Sequence, residues 1–137
     1  MQLNPYLFFN GRCAEAFRFY EQLLGGKIVM MQTHGESPMA DKTPSGWQDA
    51  IIHARLMIGD QVLMGSDAPP EHFSPAQGFS VSLQVDRAEE AERVFAALVE
   101  NGTTQMPMQQ TFWAERFGML TDRFGIPWMV NCEGKKA

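Results

Sequence analysis

FFNGRCAEAFRFYEQLLGG at residues 8–26 and QVDRAEEAERVFAALVENG at 84–102 are one pattern written twice, with Glu15-Ala16 answered by Glu90-Ala91. Each copy begins on a short apolar or alternating run (Tyr6 to Phe9, Phe79 to Val85), continues with helical spacing and stops at glycine. Cys13, Ala16, Phe17, Tyr20, Leu23 and Leu24 recur at the helical period in the first copy. Ala88, Ala91, Val94, Phe95, Leu98 and Val99 do so in the second. Each helix therefore presents one apolar face. Asp86 followed by Glu89 reads as a capping box, and Gly25-Gly26 and Asn101-Gly102 supply residues that tolerate positive φ at the helix ends.

Working outward, each helix is followed by strand-like runs. These are Lys27 to Thr33, Asp49 to Ile58 and Gln61 to Ser66 in the first half, then Thr104 to Gln109, Phe112 to Thr121 and Pro127 to Cys132 in the second. The order is βαβββ, twice. Gly59-Asp60 is placed as a tight antiparallel hairpin turn. His34 to Gly46, rich in glycine, proline and serine, reads as a long mobile loop, and Asp67 to Gly78 as a linker. The expectation is one α+β domain over 1–137, built of two modules at about 1–67 and 78–137.

Period-two alternation sorts the strands into two faces. Phe79, Val81, Leu83 and Val85 oppose Ser80, Ser82 and Gln84; Ile52, Ala54, Leu56 and Ile58 oppose His53, Arg55 and Met57; Trp128 and Val130 oppose Met129 and Asn131. The apolar rows suit packing under a helix. The mixed rows suit a small organic ligand, so Ser80, Ser82, Gln84, His53, Arg55, Met129 and Asn131 are expected to face one shared cavity. Trp113 and Glu115, in the mixed run Phe112 to Arg116, are further pocket candidates.

Composition excludes several classes. Eleven Lys and Arg against sixteen Asp and Glu give a net charge of −5 with no basic run, which argues against nucleic acid as a partner. No apolar stretch approaches the roughly 18 residues of a membrane span, and the N-terminus does not read as a signal peptide. Two cysteines, Cys13 and Cys132, fit ordinary thiols in a reducing, cytoplasmic compartment better than a disulfide framework. Ten methionines are many for 137 residues; gap filling in a core is their commoner use, and adaptable apolar binding surfaces their other one.

NPYLFFNGRCAEAFRFYEQLLGG at one end and GMLTDRFGIPWMVNCE at the other, with the duplicated βαβββ order, resemble the PhnB-like branch of the glyoxalase/bleomycin-resistance/extradiol-dioxygenase superfamily, the vicinal oxygen chelate fold. The resemblance covers essentially the whole chain, and implies curved mixed sheets around a cleft and commonly a homodimer. It implies metal ligands on four strands, and here those positions fall on Pro5, Leu63 or Met64, Ser80 and Met129. No metal is expected, because such a set offers no imidazole, carboxylate or thiolate. His34, His53 and His72 show no ligand spacing that would replace it.

The branch also carries a methyltransferase label, yet no Gly-rich strand-to-helix loop with a following acid is visible for S-adenosylmethionine, so no cofactor is expected. Fold alone does not choose an activity. The reading is metal-independent binding of a small organic ligand in the cleft, with no catalytic residue assigned. The alternative is an enzyme using His53, Arg55 or Glu115 for acid–base work without metal, His53 being the best candidate for a base. Ser80 and Ser82 lack a matched base and read as hydrogen-bond donors.

Overall fold

The computed structural model describes residues 1–134. The chain divides into two compact units, Met1–Ser74 and Pro75 onward, each with the order βαβββ. The first holds β1 (Tyr6–Phe9), α1 (Cys13–Leu24), β2 (Lys27–Thr33), β3 (Ile51–Ile58) and β4 (Gln61–Asp67). The second holds β5 (Val81–Gln84), α2 (Ala88–Val99), β6 (Thr103–Gln109), β7 (Arg116–Thr121) and β8 (Pro127–Cys132). Each unit forms one four-stranded mixed sheet, ordered β1-β4-β3-β2 and β5-β8-β7-β6. In both, the strand before the helix pairs parallel with the last strand, and the remaining pairs are antiparallel. The α+β tandem βαβββ class read from the sequence is the one observed.

The helices bury the faces their spacing assigns: Cys13, Ala16, Phe17 and Tyr20 from α1, and Ala91, Val94, Phe95 and Leu98 from α2. Under α1 lie Leu7, Phe9, Ala54 and Leu56; in the second unit Leu120, Trp128 and Val130 are equally buried. The chain leaves α1 through Gly25 in the left-handed region (φ 69°), and Gly59 (φ 62°) turns β3 into β4 with Ile58 paired to Gln61.

Several local expectations are corrected. Asp86 does not cap α2: the cap residue is Arg87, with no side-chain cap bond, and the first helical bond runs from the Ala91 N–H to the Arg87 carbonyl. Asp86 stands one residue too early, although Glu89 and Glu90 still complement the helix dipole in the first turn. Strand β7 starts at Arg116 rather than Phe112, because Thr111 closes a turn over the preceding residues. Its Oγ1 accepts from the Trp113 and Ala114 N–H groups, and its own N–H donates to the Ala114 carbonyl. Strand β5 is only Val81–Gln84, the span its partner β8 matches, and Phe79 is therefore half exposed rather than packed with Val81.

The segment read as a mobile loop is hydrogen-bonded. The His34 and Gly35 N–H groups reach the carbonyls of Ala50 and Gln48, the His34 and Trp47 rings stack, and a 3₁₀ turn occupies Ala40–Lys42. The hydroxyl and N–H of Thr33 hold the Glu36 carboxyl below its ordinary range.

A buried carboxylate ties down each unit. Asp67 accepts from the N–H of Cys13, at the start of α1, and from the N–H of Ile51, at the start of β3, both at 2.9 Å. Burial, with the Asp67 charge beside it, pushes the Cys13 thiol far up. Cys13 is thus a packed thiol and not a nucleophile at neutral pH. Asp122 plays the corresponding part between β7 and β8. Its Oδ1 accepts from the N–H groups of Phe124 and Ile126, and its Oδ2 from the Trp128 indole.

Candidate functional site

Close approaches between helix and sheet settle which strand face is which. A side chain at Gly65 would meet Phe17 of α1, so Gly65 and its partner Ala54 face that helix. Alternation then turns Met64, Ser66, His53 and Arg55 to the opposite face. In the second unit a side chain at Gly118 would meet Phe95 of α2, so Gly118 and its partner Val130 face that helix, and Met119 and Met129 face away.

That second face carries a cavity of about 580 Å³, within the roughly 300–1,000 Å³ of small-molecule sites. Its floor is Met119, Thr121, Pro127 and Met129, with Met119 and Met129 direct cross-strand partners. Gln105, Ser80 and Phe79 stand at its sides, and 76–78 completes the lining. No lining residue is charged. Two thioethers give a deformable apolar floor, while the hydroxyls of Ser80 and Thr121 and the Gln105 amide supply a few directional contacts.

Ser82, Gln84 and Asn131 share that face beyond the cavity lining and form a chain. The Asn131 Nδ2 donates to Gln84 Oε1 at 2.6 Å, and Gln84 Nε2 donates to Ser82 Oγ at 3.3 Å. Asn131 is buried and its Oδ1 has no partner among the described residues. Trp113 lies in the Thr111 turn and Glu115 just after it, both exposed, with the Trp113 ring edge-on to Phe112 and Phe117.

His53 and Arg55 belong to the first unit. The Tyr6 hydroxyl lies 3.1 Å from His53 Nδ1 and the two rings stack with centroids 5.6 Å apart. Arg55 is flanked in register by Met30 on β2 and Met64 on β4, and its Nε is buried without a hydrogen-bond partner.

The positions at which the superfamily places metal ligands do not fit a metal. Met64, rather than Leu63, takes the helix-opposite face, and Tyr6 is its β1 neighbour there, Pro5 preceding the strand. With Ser80 and Met129 these offer hydroxyls and thioethers, a poor donor set for a hard or borderline divalent ion. Among the described residues no three His, Cys, Asp or Glu side chains are grouped to hold one.

Sequence reasoning missed Met119, Thr121, Gln105 and Tyr6. Met119 and Thr121 follow from parity only once β7 is known to start at Arg116 and to pair with β8 in this register. Tyr6 sits in YLFF, four residues too uniformly apolar to show alternation.

A chain of two βαβββ units with mixed sheets, two small-residue helix contacts and a mixed face opposite each helix is a glyoxalase/bleomycin-resistance-type protein of the PhnB-like branch. The chain belongs to the family described as 3-demethylubiquinone-9 3-methyltransferase, whose model it matches over residues 1–131. It is 40% identical over 139 aligned residues to protein YjdN of Escherichia coli (strain K12), covering 96% of this chain and 95% of that one. The crystal structure of protein PA1353 from Pseudomonas aeruginosa superposes with TM-score 0.91 at 51% identity, covering 98% and 99% of the two chains. A PhnB protein from Bacillus cereus, named as a putative 3-demethylubiquinone-9 3-methyltransferase, gives 0.78 at 26% identity, covering 96% and 99%. Among the described residues no helix is long and apolar enough to cross a membrane.

Proposed function

We propose that this protein binds a small organic ligand, without a metal, on the helix-opposite face of its second unit. The observation that carries the reading is the uncharged 580 Å³ cavity over the Met119–Met129 pair. A neutral wall with a few hydroxyl and amide groups favours a largely apolar molecule with one or two hydrogen-bonding groups. The family's methyltransferase description adds little to this. The β1–α1 connection Asn10-Gly11-Arg12 holds a single glycine, not the repeated glycines that bring a cofactor phosphate or nucleotide against a helix N-terminus. Acid–base chemistry has weaker support, since Glu115 is exposed and the His53 Nδ1 is already engaged by the Tyr6 hydroxyl.

Thermal-shift screening of metabolites against the wild type and Met129→Trp tests the proposal. Filling the floor should abolish the shift given by genuine hits, a loss of at least about tenfold in affinity, or ~1.4 kcal/mol. Hits that stabilise both proteins equally would refute it.

We further propose that the chain works in the cytoplasm as a homodimer, pairing being the common way for open sheets such as these to cover their edge strands. Sedimentation should give a species of about twice the 15.4 kDa chain mass at micromolar concentration; a 15.4 kDa monomer would count against it.

A further inference from the structure

On the first unit, the helix-opposite face carries a positive charge that no acid among the described residues answers. Arg55 forms no ion pair or hydrogen bond among the described residues, and its Nε–H is buried. An orphaned donor of this kind costs folding free energy unless something satisfies it, and more so on a cation. The side chains in register with it are the thioethers Met30 and Met64, which accept hydrogen bonds only weakly. Four carboxylates of the first unit are engaged elsewhere. Asp67 serves the Cys13 and Ile51 N–H groups on the helix side, Glu21 accepts the Ile28 N–H, Glu36 is held by Thr33, and Glu15 pairs with Arg12.

One alternation step from Arg55 on the same face stands His53, its ring stacked on Tyr6 and hydrogen-bonded to the Tyr6 hydroxyl. Phe8, more than half exposed, lies next to Tyr6 with ring centroids 5.2 Å apart. A guanidinium fork walled by thioethers, beside an aromatic plate, matches an oxyanion carried on an apolar or aromatic body.

We propose that Arg55, with the Tyr6–His53 pair, forms an oxyanion site on the first unit. The guanidinium takes a carboxylate or phosphate group, and Tyr6 and Phe8 receive the body of the ligand. The proposal is argued from first-unit residues and does not rest on the reading of the second-unit cavity.

The test uses the full-length ¹⁵N-labelled protein. The Arg55 Nε–H signal is assigned by its loss in Arg55→Lys. The wild type is then titrated at constant ionic strength with benzoate, phenyl phosphate and the neutral control benzyl alcohol, and affinities are measured by calorimetry. The oxyanions should move the Arg55 signal and benzyl alcohol should not. Arg55→Gln should weaken oxyanion binding by about 10–100-fold, the loss of a charge-assisted hydrogen bond, with partial recovery in Arg55→Lys. Tighter binding of benzoate identifies a carboxylate head, and of phenyl phosphate a phosphate head. An equal response to benzyl alcohol, an unmoved Arg55 signal, or unchanged affinity in Arg55→Gln would overturn the proposal. Should Arg55→Gln fail to fold, the wild-type titration decides alone. The Arg55 signal reports on this site and the Met129→Trp comparison on the cavity, which separates failure here from failure of that reading.

Discussion

Asp122→Ala is expected to destabilise the protein by about 4 kcal/mol. The carboxylate is buried and accepts from the Phe124 and Ile126 N–H groups at 2.8 and 3.0 Å and from the Trp128 indole at 2.8 Å. Alanine leaves the buried Ile126 and Trp128 donors without these acceptors, at roughly 1–3 kcal/mol each, and the partly buried Phe124 donor adds a smaller cost. For a chain of this length, about 4 kcal/mol corresponds to a melting temperature lower by roughly 12–16 °C. Asp122→Asn, which keeps one acceptor but turns a donor toward another donor, should fall about midway. Urea unfolding of the three proteins checks this, and an Asp122→Ala midpoint close to wild type would contradict the assigned role.

Trp128→Ala is expected to be as damaging. Trp128 is 1% exposed and the largest fully buried side chain, so its removal combines lost burial with a cavity that the sheet cannot close, at about 3–5 kcal/mol. Because its indole donates to Asp122, the two substitutions share an interaction. The Asp122→Ala/Trp128→Ala double variant should fall short of the summed losses by about 1 kcal/mol or more. Strict additivity would mean that the indole bond contributes nothing. The weakly destabilised control is Trp128→Phe, which keeps most of the apolar volume but removes the indole donor to Asp122 Oδ2.

Asp122, Phe124-Gly125 and Pro127-Trp128, read in the sequence as a mark of family, are on this account a folding device. One carboxylate holds the β7–β8 turn to the indole beneath α2. The face assignments of the candidate residues were legible as well: His53 and Arg55 opposite Ala54 and Leu56, and Met129 opposite Trp128 and Val130, follow from side-chain alternation alone. Less legible were the strand limits. Phe112 and Trp113 have the composition of a strand, but the Thr111 hydroxyl offers their backbone a competing set of hydrogen bonds. Phe79 alternates correctly with Val81, yet β8 provides no pairing residue that far out.

By itself, the sequence determined the duplicated βαβββ order, the apolar face of each helix and the parity of β3, β5 and β8. All of these are local periodicities, readable within a dozen residues. Tertiary structure decided which residues became neighbours. It set Met119 beside Met129 over a neutral cavity, brought Tyr6 to His53 from 47 residues away, and left Arg55 between two methionines with no acid among the described residues paired to it. The physical reason is that strand register and pairing are non-local. They are fixed by the fit of a whole sheet against its helix, and a charge left unanswered becomes visible only when every residue that might have answered it has been placed.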